Sequence, residues 1–441
     1  MNLPQETLEY VISFLVGNDK FTHKIGYTND VTEYHRYAVV IKPSGFFDEG
    51  TYATEASIPK LPLQEIDDIP ILFGTTHKEW VEKTLVVHAD VVASAFYFMT
   101  RYEELVNHGR DEHNRFDAKH SFMKEAQMLM RPWVDELGEL IHAWLREVGE
   151  EDDVYIPPAC TNICITHDVD CLDYYHSVRG VLGGLKRILK RQTREKLQDI
   201  YKSWCNIEHD PAYTFPWMAE QHKILPDAQV MYFMKAAGEF HHYDRPRYNL
   251  KSKKLRNFYR FCQNTNAKLG LHCSYLAGQQ PELLQKEKKR LEEAIGVPVT
   301  HTRYHYLRSC SIKDMQELVN LGVTDDYTMG FADEVGFRLG TTRPVRWINP
   351  ETMQLTSLTL HPLSVMDCTL LEPRYMGLDE ETALTRAMIM LDATCVYHGE
   401  YVMLFHNTSF MGDKADQYKK IYVELLNYIH KIQLLGWENL C

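Results

Sequence analysis

The sequence has ten cysteines but no pair at Cys-x-x-Cys spacing, so neither a cysteine-held zinc site nor a spaced disulfide framework is indicated. Several cysteines, such as Cys164 and Cys395, sit in apolar stretches and read as buried thiols, while Cys441 is terminal and expected to be exposed. No stretch approaches the roughly 18 uninterrupted apolar residues of a membrane span. The N-terminus, Met1 to Asn18, interleaves Glu6 and Glu9 with apolar residues and lacks both a basic leading segment and a small-residue cleavage site, which points to the cytoplasm. Positive charge is in deficit: 48 basic against 61 acidic residues give −13, which argues against general affinity for nucleic acid or anionic lipid.

What is present is an ordinary globular composition, 44% hydrophobic and 25% charged over 441 residues, enough chain for two domains. Residues 1–156 read as a separate α/β unit. It has short strands at Tyr37–Lys42 and Ile69–Phe73, a helix over Asp90–Leu105 and another over Arg131–Val148. Its charged clusters, Arg101-Tyr-Glu-Glu104 and Arg110 to Phe116, are expected to form a surface or interdomain contact. The acidic, Pro-terminated run Gly149 to Pro158 places the boundary, leaving 157–441 as the second domain.

That second part opens on Ile163-Cys-Ile-Thr-His-Asp-Val-Asp170, a β-prone run ending in carboxylates. Strand periodicity puts Asp168 and Asp170 on one side and His167 on the other. A basic amphipathic segment, Val181 to Trp204, follows, with Lys186, Arg187, Lys190, Arg191, Arg194 and Lys196 on a solvated face. Then strands and helices alternate: strands at Gln229–Met234, Lys268–His272, Val299–Tyr306, Val323–Asp326, Met353–Leu360 and Glu400–Asn407. Repeated βα units without a glycine-rich phosphate loop after the opening strand favour a distorted (β/α) barrel with its site at the C-terminal strand ends.

Four strands end in reactive side chains: Asp168 and Asp170, His272, Arg303 with His305, and His406. Aspartate and neutral histidine together can bind a divalent transition metal, and an adjacent unligated carboxylate can take a proton from water. Arg303 could keep such a carboxylate ionised and His406 could donate a proton to a leaving group.

From about Cys160 onward the chain resembles the polysaccharide deacetylase family, the NodB-homology domain of carbohydrate esterase family 4, in motif order. Thr166-His-Asp-Val-Asp170 resembles the first motif, with the second aspartate displaced by one residue. Leu271-His-Cys-Ser-Tyr-Leu276 stands for the second, Arg303 for the third, the loop from Asp325 for the fourth and Leu404-Phe-His-Asn407 for the fifth. The resemblance implies Asp168 as base, His406 as acid, Arg303 as orienting residue, and Asp170 and His272 as ligands of zinc, cobalt or nickel. It implies a carbohydrate substrate, with Ser274, Tyr275, Asp326, Asp333 and Arg338 as candidate contacts and Asp367 facing the pocket. The family's second metal-binding histidine falls at Leu276, which cannot bind a cation, so His305, His167, His301 or water must complete the site. The expected activity is hydrolysis of an N-acetyl or similar acyl group on a cell-surface polysaccharide or its precursor. Two alternatives stay open: a catalytically silent carbohydrate-binding or scaffold protein, which the leucine motivates, and hydrolysis of another C–N bond.

Overall fold

A computed structural model describes residues 3–17, 20–152, 154–176, 178–190, 196–239 and 241–439. Near the N-terminus, β1 (Ile25–Tyr27), β2 (Val39–Ile41) and β6 (Thr84–Ala89) pair in parallel, and β5 (Gly74–Val81) adds antiparallel to β6. β3 (Gln64–Ile66) and β4 (Ile69–Ile71) form a separate small hairpin. Helices Gln5–Val16, Val91–Met99 and Trp133–Glu147 pack together beside this sheet. The helix expected over Asp90–Leu105 stops at Met99 and resumes as a short turn, Glu103–Val106, because Arg101 adopts a positive φ of 64°. That turn sends the Arg101 side chain inward to Glu104 and Ser309.

The remainder is a curled, largely parallel half-barrel. Its strands are β7 (Asn162–Val169), β8 (Gln229–Lys235), β9 (Lys268–Cys273), β10 (His301–Tyr304), β11 (Asp325–Asp326), β12 (Val345–Asn349), β13 (Gln354–Leu360), β14 (Leu363–Met366) and β15 (Glu400–Leu404). They lie in the order β12-β13-β11-β10-β9-β8-β7-β15-β14, with only β12 antiparallel to its neighbour. The distorted barrel expected from the alternation is therefore met by an open sheet. β12 and β14, whose short runs Val345–Asn349 and Leu363–Met366 lacked a distinct sequence pattern, form its two edges. One continuous buried cluster runs from Val11 through Trp133, Trp347 and Leu425, so the N-terminal elements and the large sheet share a core. Thr7 donates to the Met353 carbonyl and Trp347 Nε1 to the Thr100 carbonyl, so the N-terminal helices cover the β12 edge.

The basic segment expected as one helix is two, Val178–Leu189 and Leu197–Cys205; Arg191 and Arg194 fall outside the described residues, as does Cys441. The nine described cysteines are all free thiols. Among the described residues no helix is long and apolar enough to cross a membrane.

One imidazole bridges the curl. Asp325 on β11 and Glu400 on β15 are five strands apart, roughly 24 Å in a flat sheet. Yet His361 contacts Asp325 through Nε2 at 3.0 Å and Glu400 through Nδ1 at 2.6 Å. Burial opposes a charge on this ring, but the two carboxylates outweigh it and raise its pKa to about 9. A histidine whose folded pKa exceeds the ordinary value of about 6.5 contributes stability that is complete below pH ~6.5 and disappears as pH rises through 9. The urea midpoint is therefore expected to fall between pH 6.5 and 9, by up to about 3 kcal/mol of unfolding free energy. In His361→Gln that alkaline decline should flatten; an equally steep decline would remove His361 as its cause.

Candidate functional site

The C-terminal ends of β7, β9, β10 and β15 converge inside the curl. Alternation along β7 directs His167 outward, where it meets Phe405 O at 2.7 Å and lies 3.3 Å from both His222 Nε2 and the Tyr422 hydroxyl. Burial lowers its pKa to about 4. His167 therefore does not belong to a metal site, contrary to one sequence expectation. Asp168 points the other way. Its Oδ1 accepts from Arg303 Nη1 at 3.2 Å, and its Oδ2 lies 3.4 Å from His272 Nε2 and 3.9 Å from His406 Nε2. Arg303 is fully buried over the Phe233 ring and is held by Tyr327 O and Thr166 Oγ1, so its fork reaches Asp168 in a fixed geometry.

Asp170, His272 and His305 place one donor each within 4.8 Å of one another and could hold a metal ion. Their arrangement suits one. His272 Nδ1 is engaged by the Arg303 carbonyl at 3.0 Å, and His305 Nδ1 by Asp244 at 2.8 Å, leaving each Nε2 for the shared space. Among the described residues, buried His272 Nε2 and Asp170 Oδ1 have no hydrogen-bond partner, an arrangement that is costly unless another group fills the gap. Burial lowers the His272 pKa to about 4, which keeps its ring neutral and available as a ligand. Burial would raise Asp170, but Lys235 and His305 hold it well below the usual carboxylate range. His305 is raised, because Asp170 and Asp244 together outweigh its burial. A cation and a proton would thus compete for its Nε2.

His305 brings a donor to this group, whereas Leu276 has none. It follows the last residue of β10 in a tight turn where Tyr306 and Leu307 both have positive φ, 63° and 51°. Such backbone persists only when its surroundings fix it. Here Arg115 donates to Tyr306 O at 2.8 Å, and Arg308 donates to His113 O and Tyr275 O at 2.6 and 2.5 Å. The N-terminal loop thus pins the turn that carries His305. Leu276 packs at the edge of the hydrophobic core, and His301 lies at the other end of β10, bonded to Thr300 and stacked on Tyr327.

Across the site, His406 Nδ1 and backbone N both bond to Asp367, each at 2.8 Å, and Ser409 Oγ donates to the same carboxylate. Burial opposes a charged ring, but Asp367 prevails and holds the His406 pKa well above its ordinary value. Lys235, at the end of β8, places its buried ammonium 3.6 Å from Asp170 Oδ1, without a hydrogen bond among the described residues. Lys235 and Asp244 were missed in the sequence. The polar run His241-His-Tyr-Asp244 just after a strand was the available signal for the second.

The candidate substrate contacts Ser274, Asp326, Asp333 and Arg338 are engaged by other protein groups. Ser274 is buried in its turn, donating its N to Glu287 and accepting from Ala277 N. Asp326 is fully buried and bound by Thr302 and Thr328. Asp333 accepts from the Ala118 and Lys119 amides, and Arg338 pairs with Glu104 at 2.6 Å. These last two fasten the long loop to the N-terminal region, where Arg101, paired with Glu104, also reaches Ser309. Tyr275 belongs to an aromatic group with Tyr306, Tyr243 and a parallel-stacked His241, joined by His113 from the N-terminal loop.

A family model described as a family of unknown function (DUF7033) matches residues 2–150. A crystal structure described as that of a "putative polysaccharide deacetylase from Mycobacterium smegmatis" is similar over 63% of this chain and 89% of its own, with 15% identity and a TM-score of 0.37. No curated protein matches.

Proposed function

We propose that the protein is a metal-dependent hydrolase that removes an N-acetyl or similar acyl group from a sugar of a cell-surface polysaccharide or its precursor. The observation that carries this reading is the placement of Asp168 between two sets of groups: the Asp170, His272 and His305 donors on one side and the Asp367-backed His406 on the other. A divalent cation held by those three residues would supply a Lewis acid for the acyl oxygen. Asp168 Oδ2 takes a proton from the attacking water, and Arg303 keeps that carboxylate aligned and charged through Oδ1. As the tetrahedral adduct collapses, His406 delivers its proton to the departing amine nitrogen, and Asp367 stabilises the ring in its charged form until it does. The silent-scaffold alternative was motivated by Leu276; the position of His305 beside Asp170 and His272 supports the enzyme reading instead.

Purified protein is expected to carry near-stoichiometric zinc, cobalt or nickel and to release acetate from an acetylated amino sugar, with both properties lost on chelation and restored by metal. His305→Ala should lower metal affinity by about 10- to 100-fold or more. Metal-free protein that gains no activity on metal addition would exclude the proposal, and retention of full metal content in His305→Ala would remove that residue from the ligand set.

A further inference from the structure

A cleft of about 500 Å³ opens beside the site at the end of β8, bounded by the turn Lys235 to Gly238, the segment Arg247 to Lys251, and Arg290 and Glu293. In a protein of net charge −13, this cleft gathers Lys235, Arg247, Lys251 and Arg290 against one acid, Glu293. The guanidiniums are placed rather than left to wander. Arg290 Nη1 donates to Ala236 O at 3.2 Å and packs so closely on Gly238 that any β-carbon there would come within 1.8 Å of it. Arg247 Nη1 donates to Gly238 O at 3.3 Å. At the inner end stands Lys235, 4% exposed, its ammonium making no hydrogen bond among the described residues. Its nearest counter-charge is Asp170, 3.6 Å away.

We propose that this cleft is an anion subsite that receives a phosphate group borne by the sugar substrate, with Lys235 at its inner end and Arg247 and Arg290 at its walls. The inference rests on the acyl-sugar reading above and deepens it: the substrate is a phosphorylated or diphosphate-linked acylamino sugar rather than a neutral glycan. A multiply charged phosphate suits the local excess of positive charge better than a single carboxylate does, and guanidinium groups present paired donors that match its oxygens. The volume lies in the range that encloses a small polar ligand.

The test is calorimetric binding to the full chain carrying Asp168→Asn, which leaves the ligand unhydrolysed. N-acetylglucosamine 1-phosphate should bind at least about tenfold more tightly than N-acetylglucosamine, the value of one charge-assisted contact. That preference should shrink with added salt and collapse in Arg247→Ala, an exposed position whose replacement is expected to leave the circular dichroism spectrum unchanged. Equal affinity for the two sugars overturns the proposal. So does equal affinity for orthophosphate and the sugar phosphate, which would make the cleft a site for the free anion, and so does stronger binding of N-acetylmuramic acid, which would assign it to a carboxylate. Failure of the acyl-hydrolysis reading appears separately, as absence of acetate release by the unmodified protein, and leaves the binding comparison readable.

Discussion

Asp168→Asn is expected to lower the rate of acetate release by on the order of 10³-fold while leaving metal content unchanged. The separation follows from geometry. Asp170, His272 and His305 supply the donors that lie together, whereas Asp168 has one oxygen tied to Arg303 and the other turned toward the space between His272 and His406. Asparagine keeps the shape and the Arg303 contact but cannot accept the proton of water. Asp170→Asn should differ in kind, because it removes a ligand charge and so reduces metal content and turnover together. Measuring bound metal and initial rate on the same preparations reads both. If Asp168→Asn lost its metal in parallel with activity, Asp168 would be a ligand and the assignment of a base would have to move.

The largest effect on stability is expected at Glu104. This carboxylate is buried between Arg101 and Arg338, each 2.6 Å away, and although burial works to raise its pKa, the two guanidiniums bring it down to about 2. Glu104→Gln leaves two buried cations facing a neutral amide and should cost about 3–5 kcal/mol, the range for removing one partner from a buried ion pair. The pH dependence has a definite sign. A carboxylate whose folded pKa lies below its ordinary 4.5 contributes stability that is present above pH 4.5 and is lost as pH falls toward 2. Unfolding free energy from urea titrations at pH 7 and pH 4 should converge between parent and variant as the pH drops. Pairing Glu104→Leu with Arg338→Met should recover part of the loss, since it leaves one buried cation, Arg101, without this carboxylate rather than two. Because Arg101 also donates to Ser309, just beyond the turn that carries His305, the single variant should loosen the metal-binding turn as well. A variant as stable as the parent would show that the network adds nothing to the union of the two regions.

Much of the site was legible because strand geometry is a local property. The alternation in Thr166-His-Asp-Val-Asp170 was enough to send His167 to the helices and Asp168 to the interior, and the sheet confirms that division residue by residue. The recurrence of polar residues at strand ends likewise identified Asp170, His272, Arg303 and His406 as one edge. The partners of other positions were hidden for a shared reason. Asp333 and Arg338 look like free charges on a loop, and only the folded chain shows that their partners are the Ala118 and Lys119 amides and Glu104 in the N-terminal region. Lys235 was passed over as the last residue of a strand, since nothing next to it in sequence reveals a buried ammonium 3.6 Å from Asp170.

By itself, then, the sequence determined the alternation of strands and helices, the face each β7 side chain would take and the kinds of donor available at the strand ends, all consequences of short-range periodicity and side-chain chemistry. Only the tertiary structure decided which donors meet. His305 comes to lie with Asp170 and His272 because a turn of positive φ, pinned by Arg115 and Arg308, swings it toward them. Strand order, sheet curvature and a contact from 191 residues away in the chain combine there, and none of these is written in the residues around His305.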